Sequence, residues 1–206
     1  MGSHTGLKYF TIEDLAGPEE IKIKGSRFIA YLYPVSDISE VNEILADLRK
    51  RYHDASHICT AFRFHGHEED VFRYDDDGEP GGTAGLPIYY GIKGRQYFNI
   101  LVVVIRYFGG IKLGTGGLAK AYATAARKVL ESSKKVLRYV RTKAVVLFPY
   151  DFTGEMRQLI HQYSLEVIDQ DYRSDGIFME IFIPVIRMEK IKQILRDKSK
   201  GSIELK

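Results

Sequence analysis

The 206-residue sequence has no tryptophan and a single cysteine, Cys59. One thiol cannot close an internal disulfide, which excludes a disulfide-stapled fold and makes a reducing compartment, the cytoplasm, the expected location. In that setting Cys59 reads as a small apolar side chain of a core. Long hydrophobic runs are missing too. The longest candidate, Ile100 to Ile105, falls far short of the roughly 18 residues of a membrane-spanning helix, so no membrane partner is expected.

Metal-binding patterns are equally scarce. The stretch "DDDGEPGGTAG" fails as a calcium loop, because counting from Gly78 puts Arg73 at the first ligand position and Ala84 at the last. His57, His65 and His67 with Cys59 lack a second Cys/His pair at zinc-finger spacing. Neither a metal nor a cofactor is expected. The opening Met-Gly-Ser-His reads as an appended remnant and stays outside the fold argument.

What is present is charge, unevenly placed. Gly91 to Lys143 holds twelve Lys/Arg against one acid, Glu131, whereas Gly66 to Glu79 holds seven acids against Arg73 alone. An acidic loop followed at once by a basic segment suggests either self-neutralisation or an anionic partner.

The length fits two compact domains, expected at 1–139 and 140–206. Ile21 to Val35 reads as one long strand bent at Gly25-Ser26, or as two short ones. Asp37 with Glu40 starts a helix carrying Ile38, Val41, Ile44, Leu45, Leu48 and Tyr52 at helical spacing. "HICTAFRF" and "DVFRYDD" read as strands joined by an exposed acidic turn, "HGHEE", and "TAGLPIYYGIKGR" as a short helix with Pro87 in its first turn. "NILVVVIRYF" is a strand buried on both faces. In the helix after it, Leu118, Ala121, Tyr122, Ala125, Val129 and Leu130 form an apolar face, with Lys120, Thr124, Arg127 and Lys128 opposite. From Thr142 the order becomes βαββαβ, that of a ferredoxin-like domain. The fold class expected is therefore α/β (α+β).

Two glycine-rich loops carry the candidate sites. "RYFGGIKLGTGGLAK" runs from a strand into a helix start, where free backbone N–H groups and the helix dipole can bind phosphate. It lacks the Lys-Ser/Thr of a Walker A loop. Gly109, Gly110, Gly114, Gly116 and Gly117 serve either that purpose or tight backbone packing, and an alanine at 116 or 117 is expected to hurt folding if φ is positive there. Lys112 and Lys120 oppose the dipole and so favour anion binding. With Arg106, Arg127 and Lys128 they make up the expected anion- or nucleic-acid-binding set. In the other loop, Gly78, Glu79, Pro80, Thr83 and Gly85, Glu79 is a weak catalytic candidate without a partner carboxylate, and alternatively pairs with Arg106 or bonds loop amides.

Four motifs, "KGSRFIA" (Lys24 to Ala30), "HICTAF" (His57 to Phe62), "DDGEPGGTAGLP" (Asp76 to Pro87) and "VVVIRYFGGIKLGTGGLAKAY" (Val102 to Tyr122), resemble those of the YigZ/IMPACT family. Where that family commonly shows arginine near Lys120, the lysine keeps the charge. The resemblance implies a ribosomal-protein-S5 domain-2-like sandwich followed by a ferredoxin-like domain resembling the last domain of the translocating elongation factor. It also implies kinship with eukaryotic translational regulators that act through a protein partner. It supplies no settled catalytic activity, and fold alone cannot.

The leading expectation is a non-enzymatic protein that binds RNA or the ribosome and regulates translation. The alternatives are an enzyme acting on a phosphorylated small molecule with Glu79 as acid/base, and an adaptor for a protein partner.

Overall fold

The computed structural model describes residues 7–65 and 70–206, so most of the "HGHEE" turn lies outside the described residues. The chain divides into two units, Met1–Arg138 and Tyr139–Lys206.

In the first unit, β1 (Lys8–Thr11) precedes a hairpin of β2 (Ala16–Ile23) and β3 (Ser26–Pro34). Of the two readings of Ile21 to Val35, one bent strand or two short ones, the second is the one found. Lys24 and Gly25, with φ of 46° and 79°, turn the chain back on itself as a two-residue hairpin loop requires, and β2 pairs antiparallel with β3. Helix α1 (Ile38–Arg51) starts where the capping pattern places it. Asp37 Oδ1 accepts the Glu40 N–H, and the Glu40 carboxylate accepts from Ser36 N–H and Oγ–H.

Next come β4 (His57–Phe64), β5 (Val71–Asp75), α2 (Gly85–Gly94), β6 (Ile100–Tyr107), α3 (Gly114–Ser132) and β7 (Val136–Tyr139), which joins β1 in a small sheet. The main sheet has the order β2-β3-β6-β4-β5, antiparallel throughout. β6 at its centre explains the unbroken apolar run. Ile100, Val102 and Val104 pack with α2 and α3, whereas Leu101, Val103 and Ile105 pack on the α1 side. All six α3 residues read as apolar are buried.

In the second unit β8 (Arg141–Phe148), α4 (Thr153–Tyr163), β9 (Glu166–Arg173), β10 (Gly176–Pro184) and α5 (Met188–Lys198) follow in the βαββαβ order. The sheet runs β8-β10-β9, and the expected last strand is reduced to a bridge between Leu205 and Val146 on the outer side of β8. That spatial order, last-first-third-second, is ferredoxin-like. Its core holds Val146, Phe148, Met156, Ile181 and Leu195.

Candidate functional site

The two glycine loops meet at a buried carboxylate. Arg106 lies near the end of β6 and Glu79 in the loop before α2, and Arg106 Nη1 donates to Glu79 Oε1 at 2.5 Å. The two side chains are only 6% and 3% exposed. Tyr122 Oη, from the buried face of α3, donates to the same oxygen at 2.8 Å. Cys59 Sγ lies 3.3 Å from that phenol and 3.1 Å from the Asp76 carbonyl oxygen. His57 closes the group, with Nε2 3.9 Å from Glu79 Oε2 and Nδ1 2.8 Å from the Asp77 carbonyl oxygen. Burial pushes both the Cys59 thiol and the Tyr122 phenol up, and the negative charge of Glu79 adds to each shift. Both groups are therefore held neutral.

The acids around Glu79 are spent on backbone. Asp76 accepts the N–H groups of Gly82, Ala84 and Gly85 at 2.8–2.9 Å, capping the start of α2, and Asp77 Oδ2 accepts the Ile58 N–H at 2.7 Å. Among the described residues, the acids of this loop thus meet amides together with Arg63, which pairs with Asp70, and Arg49, which lies 3.9 Å from Asp77, and of the basic segment Arg106 alone reaches it. Thr83 is buried and donates from its hydroxyl to the Pro80 carbonyl oxygen. Gly85 sits so close to Asp75 that a Cβ would lie 2.7 Å from its nitrogen.

At the other loop, a Cβ on Gly109 would fall 1.8 Å from the Gly25 carbonyl carbon, so the β2–β3 turn and the end of β6 touch backbone to backbone. That contact ties the first and last of the four sequence motifs together. Gly110 and Gly114 have φ of 84° and 72°. Gly116 and Gly117 do not have positive φ, and nothing lies within 4 Å of a Cβ on Gly116, so the folding penalty expected there has no steric basis at 116. The first turn of α3 receives no side-chain cap, and Gly114, Thr115 and Gly116 are exposed. The first N–H groups of a helix have no intrahelical acceptor.

The expected anion-binding residues therefore separate into two groups. Lys112, Lys120 and Arg127 are exposed, and among the described residues no carboxylate lies within ion-pair distance of them. Lys128 pairs with Glu19 at 3.0 Å and donates to the Glu20 carbonyl oxygen, holding the Glu19 carboxyl below its usual range. Arg106 is buried against Glu79 and does not join the surface set. Sequence reasoning missed Tyr122, Cys59 and Asp76 as members of the buried cluster. The one available signal was a phenol on an alanine-lined face, since a buried tyrosine hydroxyl requires a partner.

Comparison with known proteins agrees with the four motifs. The Impact N-terminal domain matches residues 24–130. The chain is 32% identical to the IMPACT family member YvyE of Bacillus subtilis over 96% of this chain and 90% of that protein. It is 31% identical to the IMPACT family member YigZ of Escherichia coli over 89% and 90%. A crystal structure of a hypothetical protein, 28% identical, superposes with a TM-score of 0.74 over 97% of both chains. With the domain match spanning the buried Glu79–Arg106 cluster and the α3 loop, and relatives matched over 89% or more of both chains, the chain belongs to the IMPACT family.

Proposed function

We propose that this protein binds RNA or the ribosome through the outer face of α3 and acts in the regulation of translation in the cytoplasm, without a reaction of its own. The observation that carries the reading is the unpaired set Lys112, Lys120 and Arg127 beside an uncapped, exposed helix start. Lys120 and Arg127 are seven residues apart, two turns on one face, so a phosphate backbone following that face meets both. Glycine at 116, which packing does not demand, lets a ligand approach the backbone. Membership of the family supports the translational role, which the sequence resemblance to eukaryotic regulators suggests. No helix among the described residues is long and apolar enough to cross a membrane.

The enzyme reading is the weaker one. Glu79 Oε1 already accepts two hydrogen bonds and the carboxylate is buried, so the geometry suits anchoring a loop better than meeting a substrate.

The test is a titration of the protein with an RNA duplex at several salt concentrations. Neutralising about three phosphates gives log K against log salt a slope of roughly −2 to −3. Replacing Lys112, Lys120 and Arg127 by alanine abolishes the slope with little change in Tm. Absence of binding at low salt overturns the reading.

A further inference from the structure

We propose that β5 is a self-association edge, through which two copies of this chain pair antiparallel about a two-fold axis at Tyr74. β5 is the last strand of the main sheet, its one strand partner among the described residues is β4, and all five of its residues are exposed. Val71, Phe72 and Tyr74 are 50%, 49% and 41% exposed, so the edge carries apolar surface open to a partner.

Two other edge strands, β2 and β9, carry devices against pairing. β2 has Pro18 near its start, a register shift between Ala16 and Glu19, and the charges of Glu19, Glu20 and Lys22. β9 is irregular opposite Glu180 and Ile181 and carries Glu166, Asp169 and Asp171. β5 has neither proline nor a shift in its pairing with β4. Aromatic packing also holds it straight, because Phe72 stacks on Tyr89 of α2 at 4.4 Å between ring centroids and 16° between planes.

Charge selects the occupant. Arg73 and Asp75 project from one face of β5, two residues apart, and among the described residues neither has an ion-pair partner. In an antiparallel pair centred on Tyr74, Arg73 of each copy stands opposite Asp75 of the other, and the two tyrosines stand opposite each other on the reverse face. The same strand thus supplies both halves of its own complement, which is the signature of a two-fold interface. A polyanion is not favoured here, because Asp70 and Asp75 flank the edge and Arg73 is the strand's only cation.

A strand this short places the association at the weak end of protein interfaces, so sedimentation equilibrium of the full chain from about 5 to 500 μM is the measurement. Wild type is expected to dimerise. Arg73→Asp weakens the dimer by about tenfold or more, since two attractive pairs become repulsive, and Arg73→Asp with Asp75→Arg restores it. Tyr74→Cys gives a disulfide-linked dimer on oxidation that Arg73→Asp suppresses; Cys59 is buried and does not interfere. Because all these positions are exposed, unchanged Tm values confirm that the variants fold. A wild type monomeric at the highest concentration, or a charge swap as weak as Arg73→Asp alone, overturns the proposal and leaves the edge to a different partner.

Discussion

Arg106 Nη1 and Glu79 Oε1 meet at 2.5 Å inside the first unit, joining β6 to a loop residue 27 positions earlier in sequence. Arg106 also lies over the rings of Phe28 and Phe108, at 5.6 Å from each centroid. Removing one partner of such a pair strands a buried charge. Arg106→Met is expected to cost about 3–5 kcal/mol, and the double replacement of Glu79 and Arg106 by methionine markedly less. Chemical denaturation of the three variants measures this, and equal losses for single and double variants would contradict an ion pair held in the core.

Raised pKa values for Cys59 and Tyr122 set a direction for alkaline stability. A folded-state pKa above the unfolded one adds stability that is fully present below the unfolded pKa and is lost as pH rises above it. The unfolded thiol ionises near about 8.5 and the phenol near about 10. Tm is therefore expected to fall as pH rises past about 8.5, and Cys59→Ala to remove the first part of that fall. A thiol reagent at neutral pH should label Cys59 only after unfolding, as thermal scans and labelling kinetics will show.

The Lys128–Glu19 pair predicts a local titration change. Lys128→Ala takes away the hydrogen bond that lowers the Glu19 carboxyl, so its pKa moves up toward the ordinary value in carboxyl-carbon NMR. The same variant leaves the salt slope of RNA binding unchanged, whereas Lys120→Ala reduces it by about one unit.

Glycine substitutions separate architecture from recognition. Gly109→Ala drives a methyl group into Gly25 and is expected to prevent folding. Gly116→Ala meets nothing and relieves a helix of glycine's entropy cost, so it is expected to stabilise by about 0.5–1 kcal/mol while weakening RNA binding. A Gly116→Ala protein that binds as wild type would remove the case for close backbone approach at that turn.

The sequence by itself determined the elements whose burial repeats locally. The apolar face of α3, the doubly buried β6, the Asp37 cap and the βαββαβ order of the second unit follow from periods of 3.6 and 2 and from capping chemistry within a few residues. Tertiary structure alone decided which charges were free. Lys120 and Lys128 look alike on the polar face of one helix, yet Lys128 meets Glu19 across more than a hundred residues while Lys120 meets no carboxylate among the described residues. Asp76 likewise looked like part of an acidic surface until the fold turned α2 amides onto it. The short β1 and β7 take their backbone partners from distant chain: β1 pairs with β7 and bonds to Gln96 and Phe98 as well. Local period is written in neighbouring residues, but a hydrogen-bond or ion-pair partner is chosen when long loops close, and that closure is a property of the whole chain.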